Sequence, residues 1–121
     1  MVAASALKMA YAAYSKGSSA LLLAVNALAA SSGVSEVLKS EWDISQPGLN
    51  QRSDLTAQVT SPKAWRFAGE MLEISETFKV QGLPADFHQG AAAIFASMAE
   101  LKDQSGTDLD QAIAQILGPA S

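Results

Sequence analysis

AASALKMAYAAYSKGSSALLLAVNALAAS, residues 3–31, is a proline-free run whose apolar residues recur at helical spacing. On a wheel of about 100° per residue, Leu7, Tyr11, Tyr14, Leu21, Val25 and Leu28 gather into one broad apolar face. Lys8, Ala12, Ser15, Ser19 and Asn26 align on a second, mildly polar face. The expectation is that Tyr11 and Tyr14 belong more to a core, and that the small-residue face presents Lys8 to a partner surface or ligand. Small side chains on that face let another molecule approach closely. A helix this long and apolar needs other helices around it, so the fold class turns on what the rest of the chain supplies.

The rest of the chain is punctuated as helices. Gly33 suits the left-handed position after a helix end. A second segment over residues 34–45 is stopped by Pro47-Gly48, and a weaker one follows over 49–59. Ser61-Pro62 reads as an N-cap followed by proline at the first helical position, opening residues 63–81 with Gly82 as terminator. Pro84 opens residues 85–103 in the same way. Thr107 with Asp110 three residues on reads as a capping box for residues 108–117. No window alternates Val, Ile and Thr as a strand would. The expected architecture is all-α, a bundle of about five or six helices around one long N-terminal helix, in a single domain over residues 1–121 with no low-complexity tail beyond the closing GPAS.

Composition narrows the function classes. The chain has 121 residues, no cysteine and a net charge of -4, so disulfide and thiolate chemistry are excluded and a cytoplasmic setting is expected. An acidic chain without a clustered basic face is not expected to bind nucleic acid. The LLLAVNALAA stretch has the look of a signal-peptide core, but Asn26 interrupts it and it falls short of the ~20 apolar residues of a span. No membrane partner is expected. Neither Gly-rich phosphate loop is present.

Within residues 63–81, Phe67, Met71, Ile74 and Phe78 form one apolar stripe that Trp65, Ala68 and Leu72 widen, with Arg66, Glu70, Glu73 and Thr77 on another face. Glu70, Glu73 and Glu76 lack the histidine partner of a carboxylate metal site and read as a solvated face, so no metal is expected. His88 is the single histidine, and without a second histidine or a cysteine it reads as structural or exposed.

SALKMAYAAYSKGSSALL, KAWRFAGEMLEISETFKVQGLP and GTDLDQAI together resemble the C-terminal helical domain of the 6-phosphogluconate dehydrogenase-like and 3-hydroxyisobutyrate dehydrogenase-like NAD(P)-dependent oxidoreductases, most closely the phosphogluconate dehydrogenase-like branch. The resemblance implies that an N-terminal Rossmann domain, absent from this chain, completes the enzyme. It implies Lys8 as the catalytic lysine, with Ala12 where the family has a substrate-holding asparagine and Tyr11 or Ser15 as replacement substrate contacts. Glu70 stands for the aspartate and Gly69 for the lysine of the family's Lys-Asp-Leu motif, and Arg66 replaces that lysine toward the cofactor. The implied reaction is oxidation of a small hydroxyacid with NAD or NADP, bound mainly by the Rossmann half and not by this chain alone, in a homodimer. In that chemistry the lysine takes the hydroxyl proton while hydride leaves, so it must be held neutral by burial beside the oxidised nicotinamide. The rival expectation is a stand-alone helical dimerisation or interaction module without catalysis, and a third is a small helical ligand-binding bundle.

Overall fold

The computed structural model describes residues 3–119. Met1, Val2, Ala120 and Ser121 lie outside the described residues, and with them the end of the GPAS tail. Six α-helices follow one another: α1 (Ala3–Ser31), α2 (Ser35–Ser45), α3 (Leu49–Thr60), α4 (Ala64–Val80), α5 (Asp86–Ser97) and α6 (Leu109–Leu117). Short 3-10 turns at Ser61–Lys63 and Ala99–Leu101 complete the chain, and there is no strand among the described residues. The protein is an all-α bundle, and α1 touches each of the other five helices.

Glycine sets the first boundary. Gly33 takes φ 72°, which a side chain rarely tolerates. The turn there lets Val34 N–H donate to Ala29 O at 2.9 Å and Gly33 N–H to Ala30 O at 3.2 Å, satisfying carbonyls that the ended helix leaves open.

Other boundaries differ from the sequence reading. Ser61 is not an N-cap: its φ of -53° and ψ of -47° continue the helical backbone out of α3, whereas a cap residue must be extended. Its hydroxyl is buried without a partner among the described residues. The capping box of α6 sits one residue later than Thr107 and Asp110. Gln111 N–H donates to Asp108 Oδ1 at 2.8 Å, and Asp108 N–H donates to Gln111 Oε1 at 2.9 Å. Thr107 is instead buried, its hydroxyl donating to Gln104 O at 3.1 Å. Helix α5 stops at Ser97 rather than running to Asp103, and Asp103, at φ 61°, donates its N–H to Pro62 O at 3.0 Å.

The large core side chains come from α4, α5 and the segment after α5. Phe95, Met71, Ile74 and Met98 are fully enclosed together with Leu23 of α1, and Phe67 meets Phe95 edge to face with ring centroids 5.5 Å apart. The stripe of Phe67, Met71, Ile74 and Phe78 is therefore inward as expected. Trp65 and Leu72 do not widen it, because both are exposed, while Ala64 and Ser75 fill the inner flank.

The sidedness of α1 is the main correction. Its buried residues are Ala13, Ala20, Leu23, Asn26, Ala27 and Ala29. Tyr11 and Tyr14, expected to belong to the core, are each 75% exposed, and Leu7, Leu21 and Leu28 of the same apolar face are between 65% and 72% exposed. Five helices crowd around α1, so close approach selects alanine on the inner side.

Candidate functional site on the first helix

Three groups of residues on α1 face outward or toward its flanks. The first is Lys8, exposed and without an ion pair among the described residues. Ala12, one turn on, is half-buried against the edge of the core. Ser15 is half-buried, and its carbonyl accepts the hydroxyls of Ser18 and Ser19 at 3.3 and 3.0 Å. The flank continues to Asn26, which is buried rather than open. Asn26 Nδ2 donates to Leu22 O at 2.9 Å and to Ser53 Oγ at 3.1 Å, tying α1 to α3.

The second lysine behaves differently from the first. Lys16 turns toward α4, where its Nζ donates to Glu70 Oε1 at 2.5 Å and lies 4.7 Å above the Phe67 ring. Glu70 is thus occupied within the bundle. Arg66, one turn earlier, is exposed, with its guanidinium carbon 5.9 Å from the Phe67 ring centroid and no ion pair among the described residues. Glu73 and Glu76 lie in solvent. No group of three His, Asp or Glu side chains converges among the described residues.

The third group is the outward stripe itself. Leu7, Tyr14, Leu21 and Leu28 recur every seven residues, and Tyr11, Ser18 and Val25 recur at the intervening four-residue step. That is the a and d pattern with which one helix seats on another. The spacing is legible in the sequence and was hidden by reading these side chains as core. Tyr14 also borders three grooves that flank the stripe. One, of about 470 Å³, runs between α1 and α5 past Gly17, Ala24, Phe87, Gly90 and Ile94. Another, of about 650 Å³, is lined by Ala6, Met9, Ala10, Phe78 and Leu83. The third lies against α2 and α3 and contains Trp42 and Arg52. Lys8 lines none of them.

His88 is buried, which settles between the two sequence expectations. Its Nε2–H donates to Ala13 O at 3.0 Å, its ring sits 4.8 Å from that of Phe78, and its Nδ1 has no partner among the described residues. Gly17 makes this approach feasible, since a Cβ there would lie 2.9 Å from His88 Nε2. The histidine acts as a clasp between α1 and α5.

The central helix of this all-α bundle thus carries an exposed lysine and an exposed heptad stripe. The chain belongs to the family described as Domain of unknown function (DUF1932), whose model matches residues 29–98. That family is the C-terminal all-helical domain found in 3-hydroxyisobutyrate dehydrogenase-like proteins. The match takes in Arg66 and Glu70, whereas Lys8, Tyr11, Ala12 and Ser15 precede it. No curated protein and no solved structure matches the chain. Among the described residues, no helix is long and apolar enough to cross a membrane.

Proposed function

We propose that this chain is the lysine-bearing, dimer-forming C-terminal domain of an NAD(P)-dependent hydroxyacid dehydrogenase of the phosphogluconate dehydrogenase-like branch. The observation that carries the reading is the coexistence on α1 of an exposed Lys8, without an ion pair among the described residues, and an exposed heptad stripe beside it. A single helix thereby offers one surface for chemistry and another for assembly. In this reading Lys8 accepts the proton of the substrate hydroxyl as hydride passes to the nicotinamide, a role that needs a second domain to exclude water around the amine. Ser15 flanks Lys8 as a substrate contact, Tyr11 stands on the border between the Lys8 surface and the stripe as a further one, and Ala12 contributes only a methyl group against the core. Of the two residues assigned to the cofactor, Arg66 has a guanidinium free of any ion pair among the described residues, which suits a phosphate. The Glu70 carboxylate serves instead to hold Lys16.

The test is turnover of the longer enzyme. Lys8→Ala lowers kcat by roughly 10²–10⁴-fold, the usual contribution of a general base, with an unchanged melting temperature. Lys16 is unsuitable as the control because it has its own partners, so the exposed Lys79→Ala serves, with turnover retained. Wild-type turnover in Lys8→Ala overturns the catalytic assignment. The stripe favours a second reading, a dimerisation module without chemistry, and that reading stands if Lys8→Ala is silent while the chain self-associates. A monomer in sedimentation at high micromolar concentration rejects the assembly half of both.

A further inference from the structure

The groove between α1, α2 and α3, about 290 Å³, brings apolar side chains together with donors that have no partner among the described residues. Leu22 and Val25 of α1 line it together with Trp42 of α2 and Arg52 and Thr56 of α3, Arg52 being exposed. Arg52 has no ion pair among the described residues. The acids nearest in sequence do not compensate it: Asp43 accepts Asn50 Nδ2 at 2.9 Å, and Asp54 lies two positions along α3, where side chains diverge. The indole N–H of Trp42 and the hydroxyl of Thr56 likewise make no hydrogen bond among the described residues. Both of these residues are half-buried. Three donors of different geometry, one of them a fixed cation, therefore line one apolar groove in a chain whose net charge is -4.

We propose that this groove binds a small carboxylic acid carrying an apolar body. The carboxylate meets the Arg52 guanidinium, whose planar fork of N–H groups matches two oxygens. Thr56 and the Trp42 indole supply the remaining donors, and the apolar body lies on Leu22 and Val25. Tyr14, Ser18, Leu21 and Val25 of the heptad stripe also line the groove, so a second copy seated on the stripe and this ligand compete for it. The proposal is independent of the role given to Lys8, which does not line the groove.

The experiment uses the chain itself, labelled with nitrogen-15. The two tryptophans give two indole N–H signals, and Trp65→Phe identifies that of Trp42. Phenylacetate shifts the Trp42 signal saturably. Arg52→Gln weakens the binding roughly tenfold or more, the loss of a charge-assisted pair, with the remaining spectrum unchanged as proof of folding. Thr56→Val weakens it by a smaller factor. 2-Phenylethanol, which keeps the ring and lacks the charge, binds as weakly as phenylacetate does to Arg52→Gln, and inorganic phosphate, which lacks the apolar body, binds more weakly than phenylacetate. The proposal is overturned if phenylacetate produces no shift, if phosphate or 2-phenylethanol binds as well as phenylacetate, or if Arg52→Gln binds it unchanged. It is also overturned if sedimentation under the same conditions shows a dimer that excludes the acid, since a second copy then fills the groove.

Discussion

The two sides of α1 invert the usual order of an amphipathic helix. Its inner side is mostly alanine, at Ala13, Ala20, Ala27 and Ala29, with Leu23 as the one fully enclosed large side chain. Its outer side carries Leu7, Tyr11, Tyr14, Leu21 and Leu28 in solvent. In a bundle where one helix is surrounded, the surrounding helices supply the bulk, and Phe95, Met71, Ile74 and Met98 do so here. The central helix then stabilises the fold through close approach. Its own large residues stay in solvent, so size on a helical wheel does not by itself mark the side that packs.

That contrast can be broken from either side. Phe95→Ala removes a fully buried ring with an edge-to-face partner and is expected to cost about 3–5 kcal/mol in urea unfolding, since a cavity remains where the ring was. Ala20→Leu forces bulk into the inner side of α1, where Ala20 is 1% exposed, and is expected to cost about 1–3 kcal/mol. A leucine tolerated there without loss means the bundle is looser than its packing suggests. Gly17→Ala sharpens the comparison because the helix alone favours alanine by about 1 kcal/mol, while the new Cβ meets His88 Nε2 at 2.9 Å. Destabilisation by about 1 kcal/mol or more is expected in the wild-type background, reversing to stabilisation when His88→Ala is present. The same sign in both backgrounds rules out the clasp. The smallest effect on the fold is that of Leu21→Ala, within about 0.5 kcal/mol for the monomer. Its consequence appears in sedimentation, as self-association weakened by roughly tenfold.

The helices were legible because their ends carry residues with few conformational options. Gly33 and Gly82 at positive φ, and Pro47-Gly48 between α2 and α3, mark boundaries that the backbone obeys. Caps were less legible, since Ser61 and Thr107 have the right chemistry for a cap and the wrong backbone or neighbour to act as one. The sidedness of α1 was hidden for a physical reason: a wheel weighted by side-chain size finds the largest residues, and alanine burial against five neighbours gives little signal. The seven-residue recurrence of Leu7, Tyr14, Leu21 and Leu28 was the available clue. At the candidate site Lys8 was legible as an unusual charge, whereas the Trp42 and Arg52 groove and the Asn26 to Ser53 bond join residues distant in sequence, which no local pattern discloses.

The Asn26 to Ser53 bond also has a mechanical meaning for Lys8. The two α1 residues are separated by roughly 27 Å along the helix axis, at 1.5 Å per residue. Between them α1 is pinned twice more, by the Lys16 to Glu70 ion pair and by the His88 bond to the Ala13 carbonyl, so a tilt about Asn26 is resisted before it reaches the lysine end. Three pins along one rod fix its line. A substitution as slight as Ser53→Ala removes one of them and leaves the other two to hold the position of Lys8.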